Sequence, residues 1–352
     1  MTARIQFRGP LRDRLRNAAG LTQSIFEVSA RRAAKGPRLP SWNWYLEVAT
    51  ELAHRQTVAA FEMANVKDAR RFFDSVVIRL PELSKVNITP LVRDNFSGSW
   101  FVNKIDEGIH EHARVTMLYL HGGGYSFYPQ SYANFIALVT RAARSRTFAL
   151  DYRLSPEYRF PAQLDDALHA YRWLLETGVD CERLIVGGDS AGGNLALALL
   201  LAAREAKLPL PAFAVALSPP TDFEVEFIET ALSGDSRLDW IDKEMLERWA
   251  SWFCDEADRP NPLVSPIRAD LRGLPPIYIQ AGRAEILYPS IRTFADRAQQ
   301  QGADVVLETW DEMTHDFQLF GPDSPQSAEA LERIGQMIDM KVRGATKTEA
   351  VR

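Results

Sequence analysis

Apolar positions along the 352-residue chain follow two rhythms in succession. From residue 11 to about 75 they recur every three to four places, as in "WNWYLEVATELAHRQTVAAFEMANVKDARRFF", which predicts amphipathic helices. The preceding "GPRLPS" interrupts that pattern and makes Ser41 the expected N-cap of the helix that follows. Beyond Pro81 the period drops to two: "KVNITPLVR" and "GSWFVNKI" alternate as half-buried strands do. Then come short continuous apolar runs at 113–120, 147–152, 183–188, 212–217, 276–281 and 304–310, separated by helical stretches or longer insertions. Strands covered on both faces read this way, and their alternation with helices predicts an α/β fold whose central sheet is mostly parallel with helices on both faces. Between Asp222 and Pro262 the rhythm fails in a long, mixed segment rich in Trp, expected to be an insertion over the carboxyl edge of the sheet. The expected organisation is an N-terminal helical segment (1–80), a main domain (81–344) carrying the 222–262 insertion, and a flexible tail (345–352).

Composition narrows the function more than the fold. With 46% hydrophobic and 25% charged residues the chain is ordinary globular material, and a net charge of −5 argues against nucleic acid as a partner. Two distant cysteines, Cys181 and Cys254, suggest neither a disulfide framework nor a zinc site, and fit a reducing cytoplasm. The apolar run "LALALLLAA" stops at Arg204, short of a membrane span, and the N-terminus lacks the apolar core of a secretory signal. That N-terminus is locally basic, with Arg4, Arg8, Arg12, Arg14 and Arg16 against few acids; a solvated helical face is the preferred reading over a transit segment or a lipid-binding one.

The chemistry starts at "VGGDSAGGN", 186–194, between an apolar run and a helical one. A Walker loop needs Lys where Asn194 stands, and a dinucleotide fingerprint needs Gly where Asp189 stands. The pattern that fits is G-x-S-x-G, in which a strained strand-to-helix turn exposes a nucleophilic serine, here Ser190. By itself it is a weak signal. A second motif, "HGGG" at 121–124, follows the buried run 113–120 and would supply inward main-chain N–H groups where an acyl-transfer enzyme develops an oxyanion.

In family order, "HGGGY" (121–125), "DYRLSPEYRFPAQLDDALHAYRWL" (151–174), "GDSAGGN" (188–194), "SP" (218–219) and "THDF" (314–317) resemble the hormone-sensitive-lipase-like, bacterial family IV carboxylesterases of the α/β-hydrolase superfamily. The resemblance spans about 85 to 340. It implies an oxyanion hole from the N–H groups of Gly123, Gly124 and Ala191, with His121, Tyr152, Arg153 and Glu157 bracing the loop. It makes the N-terminal helices and the insertion a cap whose aromatics, Trp42, Trp44, Tyr45, Trp240, Trp249 and Trp252, are candidates for an apolar pocket. Tyr125, Asp189 and Trp240 are the side chains expected to face a substrate. No cofactor or metal is implied, and the quaternary state implied is a monomer or homodimer.

A serine nucleophile needs an imidazole base and an acid to orient it, in the order Ser, Asp/Glu, His on this fold. His315 is the one histidine after Ser190, in the loop beyond the last strand. His54 and His169 lie on helical stretches, and His110 and His112 flank Glu111 in an expected turn. The acid departs from the family pattern: in "QAGRAEILYPS" Glu285 stands at the Asp position and Ile286 where proline is usual. Asp311, Glu312 and Asp316 crowd His315 in sequence, and Asp270 precedes its strand on the wrong edge, so Glu285 is the expected acid. The expected function is hydrolysis of small, short-to-medium acyl esters through a Ser190 acyl-enzyme, with activity rising through about pH 6 to 7 as His315 deprotonates. A lactone or aryl amide uses the same machinery, and a non-catalytic receptor or an acyltransferase on this fold are the rivals.

Overall fold

The computed structural model describes residues 4–106, 115–224 and 238–344. The His110–His112 turn, the first part of the insertion and the tail beyond Gly344 lie outside the described residues.

The N-terminal segment is helical as its periodicity indicates: α1 (Leu11–Lys35), α2 (Trp44–Phe61) and α3 (Val66–Asp74). Flanking them, β1 (Arg4–Phe7) and β2 (Val76–Arg79) pair antiparallel, a contact too short to register in sequence. The N-cap of α2 is Asn43, whose side chain accepts from Leu46 N at 2.8 Å. Ser41 instead bonds Glu312 through both its N–H and its hydroxyl, so it anchors the segment to a distant loop and does not cap a helix. The predicted run from Trp42 to Phe73 breaks at 62–65, where Asn65 caps α3.

All eight strands expected after Pro81 form: β3 (Val86–Val92), β4 (Ser97–Asn103), β5 (Thr116–Leu120), β6 (Arg146–Asp151), β7 (Leu184–Asp189), β8 (Phe213–Leu217), β9 (Ile277–Gly282) and β10 (Val305–Trp310). They make one sheet in the order β10-β9-β8-β7-β5-β6-β4-β3, parallel except at β6-β4 and β4-β3. Pro90 is tolerated because β3 is the edge strand. Alternate side chains of β5 feed two cores. Leu118 and Leu120 pack with α5 (Ala162–Glu176) and α6 (Ala191–Glu205), while Met117 and Tyr119 pack with α4 (Tyr132–Ala143). The insertion contributes α7 (Lys243–Phe253), capped by Asp242; α8 (Tyr288–Gln300) and α9 (Pro325–Ile338) close the two faces. No helix among the described residues is long and apolar enough to cross a membrane.

The N-terminal helices hold together around a buried charge. Glu47 is sealed from solvent and receives the Arg31 and Arg32 guanidiniums and the Arg38 N–H at 3.0 Å. Removing one partner of such a cluster strands the rest, so Glu47→Ala should lower unfolding free energy by about 3 kcal/mol, at the low end for a broken buried pair because both arginines are partly exposed. Urea denaturation checks this; a change below about 0.5 kcal/mol would contradict it.

Candidate active site

The site forms at the carboxyl ends of β5, β7, β9 and β10, where the chain must turn sharply from strand to helix. Ser190 sits between β7 and α6 with φ 48° and ψ −123°, a conformation L-residues avoid. It persists because Ser190 N donates to Leu217 O at 2.8 Å and the turn has no room to relax. A Cβ on Gly192 would lie 1.9 Å from the Leu120 carbonyl oxygen, and one on Gly188 would lie 2.3 Å from Gly192 O. Close approach of helix to strand is what these glycines supply.

The imidazole arrives from the loop after β10. His315 Nε2 is 2.8 Å from Ser190 Oγ, and its Nδ1 faces Glu285 Oε2 at 3.7 Å, outside hydrogen-bond range but within ion-pair range. Both are buried, with Ser218 and Gly282 the groups nearest to bonding the Glu285 carboxyl. Burial lowers His315 to about 4, with the Asp239 and Asp189 charges opposing, and raises Glu285 well above the usual carboxylate range. Both shifts favour a neutral imidazole, the form that accepts a proton. The other acids fall elsewhere. Asp311 is exposed and pairs with Arg283, Glu312 holds Ser41, and Asp270 pairs with Arg272. Asp316 does approach the ring, but at Nε2, with Oδ2 3.3 Å away, and burial keeps its pKa high.

Residues expected to face a substrate divide. A cavity of about 280 Å³ opens on Ser190 and His315, walled by α2 (Tyr45, Ala49, Leu52, Ala53), Phe127, Phe135, Leu319 and the indoles of Trp240 and Trp249. Trp240 is thus placed on the cavity wall, and its Nε1 also donates to His315 O at 2.7 Å. Tyr125 and Asp189 are not on that wall. Tyr125 is buried, stacked on Phe253 at 3.8 Å with its hydroxyl on Asn194. Asp189 is buried beneath the glycine loop, accepting from Tyr119 at 2.6 Å, from Gly122 N at 3.2 Å and from Tyr132. Burial raises it to about 6 against those bonds. Both side chains brace the loops that surround Ser190. Of the six candidate pocket aromatics only Tyr45, Trp240 and Trp249 line the cavity: Trp42 joins the Trp310/Phe317 cluster, Trp44 is exposed and Trp252 packs on Phe61.

The 121–124 loop carries a preset cluster of donors. Among the described residues the N–H groups of Gly123, Gly124 and Ala191 have no acceptor, while Gly123 and Gly124 line the cavity beside Ser190. Gly123 has φ +89°, and a Cβ there would meet Phe127 O at 2.1 Å. His121 is sandwiched flat between Tyr128 and Tyr152, 3.7 and 4.0 Å away, and burial lowers it to about 3, so it is a neutral spacer. Tyr152 donates to His121 O at 2.6 Å, as expected of a brace. Glu157 acts through Arg70, which it grips at 2.8 Å with both oxygens while the guanidinium donates to Ser126 O and Ser155 O. Arg153 pairs with Asp166, away from the loop.

Two site residues escape sequence reasoning. Arg70 comes from α3, in a segment read only as helical. Asp239, in the patternless insertion, accepts from His315 N at 3.0 Å and Trp240 N at 2.8 Å through one oxygen, and from Ile286 N at 2.8 Å through the other. It ties the histidine loop to the Glu285 loop. Three N–H donors favour its ionised form; burial outweighs them and raises it to about 7.

Residues 117–319 match the family model described as the alpha/beta hydrolase fold. An acetyl-hydrolase of Streptomyces hygroscopicus is 40% identical over 63% of this chain and 75% of its own length. An esterase of Acinetobacter venetianus is 29% identical over 84% of this chain and 95% of its own. Among solved structures, an esterase from the bacterial hormone-sensitive lipase family superposes with TM-score 0.75 at 33% identity, covering 86% of this chain and 99% of its own. EstE5, soaked with p-nitrophenyl butyrate, gives 0.76 at 29% identity, covering 86% and 100%.

The shifts point to a pH dependence different from that of an ordinary histidine. If His315 is the base, kcat/KM is lost as pH falls through about 4, where the imidazole protonates, and a smaller step appears near 7, where Asp239 loses its charge and one of its acceptor oxygens. Asp239→Asn sets an NH2 against Ile286 N–H, so the upper step should vanish and kcat/KM should fall about tenfold. A single rise at about pH 6 to 7 that survives in Asp239→Asn would contradict this reading.

Proposed function

The chain belongs to the α/β-hydrolase fold family, among the hormone-sensitive-lipase-like carboxylesterases, and is a carboxylic ester hydrolase; from that premise we propose a Ser190 acyl-enzyme mechanism acting on short-to-medium acyl esters. The 2.8 Å contact between Ser190 Oγ and His315 Nε2 on the cavity wall carries the reading. Ser190 attacks the ester carbonyl while His315 Nε2 takes its proton and passes it to the leaving alkoxide; water then repeats the attack and frees the acid. Glu285, 3.7 Å from Nδ1, orients the imidazole and stabilises the imidazolium. The N–H groups of Gly123, Gly124 and Ala191 receive the oxyanion, and their lack of other acceptors means no bond is broken when charge develops.

The N-terminal segment and the insertion act as a cap, since α2, Trp240 and Trp249 form much of the cavity wall. A mostly apolar space of about 280 Å³ is small for a ligand site and suits short-to-medium acyl groups. The free thiols of Cys181 and Cys254 fit a cytoplasmic setting.

Ser190→Ala should cut turnover of p-nitrophenyl acetate by about 10⁴-fold or more while leaving circular dichroism unchanged. Near-normal turnover would reject the nucleophile. Across p-nitrophenyl esters, kcat/KM should peak at about four to eight acyl carbons and fall at least about tenfold by sixteen; a flat or rising series would reject the size limit.

A further inference from the structure

Helix α1 is mounted with its polarity reversed. The side chains it turns inward are Asp13, Asn17, Ser24 and Val28, and the first two are held by polar bonds: Asp13 to Arg71 at 3.0 Å, and Asn17 to Ser75, Phe72 O and Gln56. Most of the large apolar ones face out. Leu11, Leu15 and Phe26 are 63, 60 and 71% exposed, Ile25 is exposed beside Phe26, and Trp44 extends the stripe, its Nε1 on Ser29 of the same helix. At 100° per residue, positions 11, 15 and 26 fall within about 60° of one another. A helix that packs by a polar seam and shows its leucines to water presents a face suited to a second partner.

The charges flanking the stripe select the partner. Arg12 and Arg14 border it on either side, Arg4 and Arg8 lie at its N-terminal end, and among the described residues no carboxylate pairs with any of the four. The one acid on the exposed part of α1, Glu27, is engaged by Arg55. Two copies meeting through α1 would set arginines against arginines if parallel and would bring Arg12 and Arg14 no free carboxylate if antiparallel, since Glu27 is held by Arg55 and the far end of the helix carries Lys35. An acyl-chain boundary beneath anionic headgroups satisfies both the apolar stripe and the basic rim. We propose that α1 lies flat on an anionic lipid surface, inserting Leu11, Leu15 and Phe26 at the headgroup boundary with Arg4, Arg8, Arg12 and Arg14 against the lipid charges. The 25-residue helix spans about 37 Å of that surface. This goes beyond the esterase reading and does not depend on it.

Co-sedimentation with vesicles tests it. The full chain should bind phosphatidylcholine vesicles containing about 30% phosphatidylglycerol, not pure phosphatidylcholine, and binding should weaken as salt rises. Leu15→Glu/Phe26→Glu and Arg12→Glu/Arg14→Glu should each weaken it at least about tenfold, with hydrolysis of a water-soluble ester unchanged within about twofold. Absence of vesicle binding, or binding by either variant equal to that of the unaltered chain, overturns the proposal. So does a dimer in light scattering that Leu15→Glu/Phe26→Glu converts to monomer, which assigns the face to a second copy.

Discussion

The hydrogen bond between Ser190 Oγ and His315 Nε2 joins positions 125 residues apart, and the surrounding architecture exists to make it possible. Neither side chain can choose its place freely. Ser190 reaches the cavity with its backbone held in a strained conformation, and that strain survives where glycine lets α6 press against the end of β5. His315 rides a loop with little regular structure of its own. It is fixed instead by its neighbours: Asp239 takes its N–H, Trp240 takes its carbonyl, and Glu285 faces its outer nitrogen.

Burial then gives the pair its chemical character. In water an imidazole is half protonated at about pH 6.5 and a carboxylate is charged well below that. Enclosure disfavours both charged forms, lowering His315 and raising Glu285, and leaves the imidazole neutral. The cost of gathering Glu285, Asp189, Asp239 and Asp316 in one interior is met by main-chain and tyrosine donors at Asp189 and Asp239. The N-terminal segment belongs to this system too: Ser41 and Trp42 bond Glu312, and Asn43 and Tyr45 bond carbonyls of Asp323 and Phe320, stitching α2 to the histidine loop. The helix that walls the cavity therefore also holds the loop bearing His315.

Much of this was legible in sequence wherever one local rule dominates. Strands covered on both faces must be continuously apolar, so β5 to β9 stood out; the glycines around Ser190 form a recognisable nine-residue pattern, although the backbone Gly192 makes room for belongs to Leu120. What was not legible depends on partners distant along the chain. Tyr125 and Asp189 look like site residues because they adjoin the motifs, yet Asn194, Tyr119 and Tyr132 claim them as braces. Asn43 rather than Ser41 caps α2, because Glu312, some 271 positions away, occupies the serine. Asp239 lies in a segment with no periodicity, and only the folded chain brings three N–H groups to it.

The central claim is that Ser190 is made reactive by His315 and that Glu285 orients this base. Labelling with a fluorophosphonate, followed by peptide mapping, measures that activation without reference to any ester. The account predicts a single adduct on Ser190, formed at least about a hundredfold more slowly in Glu285→Gln, where the amide cannot stabilise the imidazolium. An adduct on another residue, or an unchanged labelling rate in Glu285→Gln, would contradict it.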